Sequence, residues 1–187
     1  MELRRAAAFA LLLLVPGGCK KARSSPLRAA IEVPVASLAD RQRLIATLRQ
    51  AARVDPTLHV DDATAAWMAM QAHDTKTPQN KRATVYIGVW RGAKDEEPIA
   101  QAMDFLHPGR VWVMFENGSR PAADRAFREA ALCALAQQFP QARSLPVVAG
   151  GTLPLEADMR LTPAGYRILP GRAAVYGLPA NSPLLAH

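Results

Sequence analysis

The chain is poor in cysteine, and this scarcity excludes two classes of small protein. Its 187 residues include only two cysteines, Cys19 and Cys133, too few for a disulfide scaffold or a cysteine-rich zinc site. Cys133 lies in the apolar segment 130–136. A buried thiol packs as a small hydrophobic group, whereas a catalytic thiol needs a partly exposed electropositive site. We therefore predict that Cys133 is a buried core residue.

The sequence also lacks a long hydrophobic run. The longest apolar segment, residues 6–15, has ten residues, whereas a transmembrane helix needs about 20. Arg4 and Arg5 precede this segment, and the small residues Gly17 and Gly18 follow it. A basic start, a short apolar core and small residues before a cleavage point are the layout of a secretory signal. We predict that residues 1–18 form a signal peptide.

The end of this segment resembles the lipobox of bacterial lipoprotein precursors, in which a small residue precedes a cysteine that receives lipid. Gly17, Gly18 and Cys19 match that pattern, and Pro16 departs from it, since an aliphatic residue is usual there. The resemblance implies cleavage between Gly18 and Cys19, acylation of Cys19 and stable attachment to a membrane. Lys20 stands where an aspartate favours inner-membrane retention, so the resemblance implies an outer-membrane protein that faces the periplasm. An ordinary secretory signal and an uncleaved anchor are the alternatives.

The charge of the chain is moderately basic and dispersed. The formal net charge is +7, and loss of one acidic and two basic residues with the signal peptide makes it +6. No basic and aromatic motif of a nucleic-acid-binding module is present, so nucleic acid is not an expected partner. Residues 19–36, which mix charges, serines and prolines, are expected to form the lipidated N-terminus and a flexible tether.

Helix signals delimit two segments of the remaining chain. Ser37 and Asp40 resemble a capping box, and apolar residues then recur at helical spacing until Asp55 and Pro56. Pro121 opens a second helix that extends to Phe139. Because residues 130–136 are apolar all round, we predict that this helix is central and buried.

Strand signals dominate the rest of the chain. Residues 83–92 and 110–116 are rich in β-branched and aromatic residues with alternating polarity. Residues 63–73 and 98–106 are ambiguous between helix and strand, and we predict a strand for 65–72 and a hairpin strand for 98–106, joined to the next strand by a type II turn at Pro108 and Gly109. Edge strands are predicted within 159–169 and a loose C-terminus for 181–187.

These elements indicate an α+β fold. We predict one globular domain over residues 37–180, built as an antiparallel meander covered on one face by two helices in two layers.

Candidate catalytic groups are few. His59, Asp61 and His73 are the polar set that most resembles a metal-assisted hydrolase, because imidazole and carboxylate groups bind divalent metals and activate water. Their spacing matches no established metal motif, and the preferred interpretation is that Asp61 or Asp62 caps a local turn and that His73 begins a polar loop. No cofactor or metal is expected.

Trp67, Trp90 and Trp112 fall in predicted strands. They are expected to be core residues, with a sugar-binding or peptide-binding surface as the alternative. The sequence as a whole favours a lipid-anchored binding, assembly or immunity module with an envelope protein as partner over the hydrolase. A basic module of this kind would suit an acidic partner.

Overall fold

The computed structural model describes residues 26–73, 83–92 and 97–186, apart from the side chain of Phe105. The predicted signal peptide and Cys19 lie outside these ranges, as do residues 74–82 and 93–96. The described elements comprise strands and helices in the order β1 (Leu27–Pro34), α1 (Leu38–Ala52), β2 (Leu58–Asp62), α2 (Thr64–Ala72), β3 (Tyr86–Arg91), β4 (Glu97–His107), β5 (Arg110–Glu116), α3 (Pro121–Gln138), β6 (Arg143–Leu145), β7 (Met159–Thr162) and β8 (Gly165–Ile168).

The predicted α+β class is confirmed. Six strands form an antiparallel sheet in the order β2-β3-β4-β5-β1-β6, and β7 and β8 form a separate hairpin. Strands β2 to β5 follow one another as the predicted meander. The turn between β4 and β5 places Gly109 at a φ of 79°, the left-handed conformation that a type II turn requires of its third residue.

Helices α1 and α3 cover one face of the sheet and form the main core with it. Leu44 and Leu48 of α1 and Phe127 and Leu135 of α3 are almost completely buried in this core. The ring of Phe127 packs at 5.9 Å between centroids against Phe115 of β5. The alternation predicted for β5 is therefore real, because its odd-numbered apolar residues face the helices.

The start of α1 forms as the capping signal predicts. The Ser37 hydroxyl oxygen accepts a hydrogen bond from the backbone N–H of Asp40 at 3.1 Å and donates one to its carboxylate at 2.7 Å. This satisfies one N–H group that has no partner inside the helix.

The predicted strand at 65–72 is wrong, because these residues form the helix α2. Alanine and methionine favour a helix, and the Asp62 carboxylate accepts a hydrogen bond from the N–H of Thr64 at 3.2 Å at its start. The helix is held against the sheet by Trp67, whose ring stacks on Tyr86 at 4.7 Å between centroids. Residues 98–106 do form a strand, as predicted.

The predicted flexible tether is wrong for its second half, because β1 occupies Leu27–Pro34 between β5 and β6. Ile31 and Val33 point into the main core. Arg28 and Glu32 made this segment resemble a solvated linker, yet Glu32 is buried and paired with an arginine on the other face of the sheet. The folded unit therefore includes residues 27–36.

The predicted loose C-terminus is also wrong for the residues up to Ala186. The N–H of Ala186 donates a hydrogen bond to the carbonyl of Ile168 at 2.8 Å, and the N–H of Ile168 donates one to Leu184. Leu185 packs with Ile168 and Val148 in a small separate core. The short apolar pieces of the C-terminal region thus supply their own packing partners.

The prediction that Cys133 is buried is wrong, because its thiol is exposed. Helix α3 lies on the sheet with one face, formed by Phe127, Ala131 and Leu135. Cys133 is on the outer side, where small apolar residues meet solvent. The prediction that this helix is central and buried on all sides is therefore wrong, because only one of its faces is buried.

Candidate functional site

A buried arginine lies at the centre of the most polar cluster in the described chain. Arg91, the last residue of β3, has only 7 % of its side chain exposed. Its guanidinium donates to Glu97 at 2.7 Å and to Asp55 at 3.3 Å, and it also contacts the fully buried carboxylate of Asp124. Three carboxylates from three separate segments thus surround one guanidinium group.

The cluster continues into the start of α3. The Asp124 carboxylate accepts a hydrogen bond from the N–H of Gly118 at 2.8 Å, so an acid in the first turn closes back on the chain before the helix. Ser119, just before this helix, donates its hydroxyl to Glu97 at 2.9 Å. Arg120, half-exposed, lies 3.9 Å from Asp55.

These contacts shift the ionisation of two acids in the cluster. Hydrogen bonds from Thr57, with support from Arg91, lower the pKa of the Asp55 carboxyl. Burial opposes ionisation of Glu97, but hydrogen bonds from Arg91 and Ser119 outweigh it, and the pKa of Glu97 is lowered. Both acids are ionised at neutral pH, and both accept hydrogen bonds from neighbouring groups. The cluster joins β3, the loop after α1 and the start of α3, and this is a structural role.

A second polar cluster lies on the opposite face of the sheet. The buried Glu32 carboxylate accepts from the Arg110 guanidinium at 2.8 Å and from the Trp112 indole N–H at 3.0 Å. The Tyr166 hydroxyl of β8 lies 3.2 Å from the same carboxylate. Since Tyr166 belongs to the hairpin and the others to the sheet, this cluster fixes the hairpin against β1 and β5.

Glu116 differs from the other buried or half-buried acids, because no described side chain pairs with it. It ends β5 beside Leu27 and faces the same side of the sheet as Glu32. Burial raises its pKa to about 7, and its charge contributes, after burial, to raising the pKa of Tyr86 to about 12. A half-buried carboxyl with a raised pKa is one sign of a functional position.

A small cavity of about 230 Å³ opens at the start of α1, lined by Ser37, Arg41, Thr84 and Val85 among others. Ligand sites of drug-sized molecules usually have about 300–1,000 Å³. Arg41 beside it lies 3.6 Å from Asp62. The cavity is therefore small, and its one cation is already near an acid.

The structure does not bring together the candidate metal ligands. His59 and Asp61 lie two residues apart on β2, opposite Trp90 and Gly88 of β3, and His73 ends α2. No group of three or more His, Cys, Asp or Glu side chains is placed to hold a metal ion within the ranges that the structure describes. The hydrolase alternative has no ligand cluster to support it there.

Two of the three tryptophans are core residues, as expected. Trp90 and Trp112 are 5 % and 4 % exposed. The Trp90 indole lies over Gly88, where an added Cβ would stand 2.1 Å from its nitrogen, so that position of β3 requires glycine. Trp67 lies in α2 rather than in a strand and is partly buried. A sugar-binding surface built from all three indoles is therefore not formed.

Sequence reasoning missed Arg91 and its partners. Asp55 and Asp124 are separated from Arg91 by 36 and 33 positions, and no local pattern links them. The one available signal was Glu97, six residues after Arg91 and across the turn between two predicted strands, where it can pair with the arginine.

None of the helices that the structure describes is long and apolar enough to cross a membrane. Comparisons with protein-family models, with curated proteins and with solved structures find no match for this chain.

Proposed function

We propose that this chain is a lipid-anchored protein of the bacterial envelope whose folded unit acts as a non-enzymatic binding or assembly module. The observation that carries the proposal is the order of residues at the N-terminus. Arg4 and Arg5 precede a ten-residue apolar run, which ends at Gly17, Gly18 and Cys19. That order suits export, cleavage before Cys19 and acylation of its thiol.

The way the charged side chains are used supports a module without catalysis. Arg91, Glu32 and Asp104 are buried, and each is bonded to neighbours that it holds in place. The Asp104 carboxylate, for example, accepts hydrogen bonds from the N–H groups of both Thr84 and Val85. These acids and this arginine secure strand ends and loops, which leaves the surface to meet a partner.

The C-terminal region offers apolar surface for such a partner. Leu155, Leu161 and Val175 are each more than half exposed. Exposed apolar side chains are the groups that a protein interface buries at its centre. A partner in the envelope would approach this region while Cys19 holds the chain at the outer membrane. The folded unit would face the periplasm.

The test is membrane fractionation of the full-length chain beside two single-cysteine variants. Wild type and Cys133→Ser should both be found in the outer membrane, because the Cys133→Ser change leaves the acylated thiol of Cys19 intact. Cys19→Ser should leave that fraction. Equal distribution of Cys19→Ser and wild type would contradict the proposal, and Cys133→Ser controls for loss of a thiol as such.

A further inference from the structure

The segment between the proposed anchor and the folded unit is shorter than the predicted tether of residues 19–36. Strand β1 begins at Leu27, so seven residues separate it from Cys19. Eight extended residue steps span at most about 28 Å, which is comparable to the width of a small domain. The end of the sheet at which β1 begins is therefore held close to the bilayer whenever Cys19 is acylated.

Arginine side chains collect at this end of the sheet. Arg28 is exposed, one residue after the start of β1, and Arg125 is exposed on α3. Arg128, half-buried on α3 one turn after Arg125, donates a hydrogen bond to the side chain of Asn117 at 2.8 Å, next to Glu116, which pairs with Leu27 at the start of β1. Burial lowers the pKa of the Arg128 guanidinium, and the charges of Arg125 and Arg28 act in the same direction, against the opposite effect of Glu129. We call Arg28, Arg125 and Arg128 the arginine patch. Arg128 is within charge range of both Arg28 and Arg125, and because like charges repel, the patch favours an anionic partner.

The acids near the arginine patch leave it positive at the surface. Asp124, on the same helix, points inward to Arg91 and is fully buried. Glu129 is the exposed acid beside Arg128, and half-buried Glu116 lies across from Leu27 on the other face of the sheet. The three arginines therefore exceed the acids that share their surface.

We propose that the arginine patch, Arg28, Arg125 and Arg128, rests on the anionic phospholipid head groups of the membrane to which Cys19 is attached. The inference rests on the proposed acylation of Cys19. It gives the module a fixed orientation, in which α3 lies toward the bilayer and the C-terminal hairpin is directed away from it. A basic residue near an anionic membrane strengthens attachment by about fivefold, so the two exposed arginines of the patch, Arg28 and Arg125, together strengthen it by about 25-fold.

Cys133 provides a native reporter for the test. It is the exposed thiol of α3, eight residues after Arg125, about 12 Å along the helix axis. With Cys19 acylated it is also the sole remaining thiol of the two in the chain. A fluorophore on Cys133 can therefore be quenched by a nitroxide carried on phospholipid head groups when α3 lies at the membrane.

The experiment uses the acylated protein purified from membranes and placed in vesicles, with the acyl mass on Cys19 checked for every variant. Quenching should be stronger in vesicles containing phosphatidylglycerol than in phosphatidylcholine alone. It should fall as salt rises from about 0.1 M to 1 M, because the screening length shortens from about 10 Å to 3 Å. The double variant Arg28→Gln, Arg125→Gln should lose this lipid-dependent quenching.

The control Arg160→Gln, Arg167→Gln removes two charges from paired positions of the C-terminal hairpin and should quench like wild type. Equal quenching in both vesicle types, or no effect of the Arg28 and Arg125 changes, would overturn the orientation and leave the anchor intact. A protein without acyl mass on Cys19 would overturn the anchor and the orientation together.

Discussion

Replacing Arg91 by methionine tests the buried cluster most severely. The change removes the guanidinium that donates to Glu97 at 2.7 Å and to Asp55 at 3.3 Å and that contacts buried Asp124. Breaking a buried ion pair by removing one partner costs about 3–5 kcal/mol. Asp124 and Asp55 keep hydrogen bonds from backbone N–H groups, so we expect a loss of about 3 kcal/mol in the free energy of unfolding.

The assay is urea unfolding followed by circular dichroism. With a dependence of about 2 kcal/mol per molar urea, the midpoint of Arg91→Met should fall by about 1.5 M. Arg160→Met, on an exposed strand position, is the matched control and should change stability by less than about 0.5 kcal/mol.

The pH dependence separates charge from packing. Asp55 and Glu97 have lowered pKa values in the folded protein, so their contribution is present above their unfolded pKa, about 4, and is lost as pH falls. In Arg91→Met the carboxylates repel one another, and protonation relieves that repulsion. The difference between variant and wild type should therefore narrow from pH 5 to pH 3. A difference below about 1 kcal/mol at pH 7, or one that is constant with pH, would refute the reasoning.

Three further predictions concern single side chains. Tyr166→Phe removes the hydroxyl at the Glu32 carboxylate and should cost about 1 kcal/mol in urea unfolding; an unchanged midpoint would mean that the hairpin is held by packing alone. Because the pKa of Glu116 is raised to about 7, its neutral form stabilises the fold below its unfolded pKa, and that contribution is lost as pH rises toward 7. Glu116→Gln should therefore be more stable than wild type at pH 8 by about 1 kcal/mol, reduced for solvent screening, with the gain absent at pH 4; the same difference at both pH values would contradict the burial of this carboxyl. The exposed thiol of Cys133 should react with a disulfide reagent in the folded protein at the rate of a free thiol, and protection until unfolding would contradict its placement.

Local sequence signals predicted the elements whose boundaries are determined by adjacent residues. Ser37 and Asp40 mark the start of α1 because both capping groups lie within one turn. Pro108 and Gly109 mark the turn between β4 and β5 because the turn itself needs a residue with positive φ. Such features depend on a few neighbouring residues, so one sequence suffices to find them.

The missed elements depend on partners that are distant in sequence. Strand β1 contains Glu32, which looks solvated until Arg110 and Tyr166, 78 and 134 positions away, are placed around it. For α2 the neighbouring strand in the sequence favours a strand, whereas its alanines and methionines favour a helix and the stacking of Trp67 on Tyr86 holds that helix against the sheet. The Arg91 cluster was missed for the same reason, since its acids come from three segments.

The same difference between adjacent and distant residues applies to the candidate functional residues. Cys19 was identified from adjacent residues, and the expectation for it stays a prediction. His59, Asp61 and His73 were grouped by chemical type and nearness in sequence, and the fold separates them between β2 and the end of α2. Residue type alone says which groups can bind a metal, but only the paths of the strands and helices decide whether those groups meet.

The most direct test of the account is the intact mass of the protein purified from membranes after expression of the full-length chain. We predict a chain that begins at Cys19 and carries the mass of the acyl groups on that residue, and a Cys19→Ser protein without them. A membrane-extracted protein that retains residues 1–18, or one cleaved elsewhere with an unmodified Cys19, would contradict it.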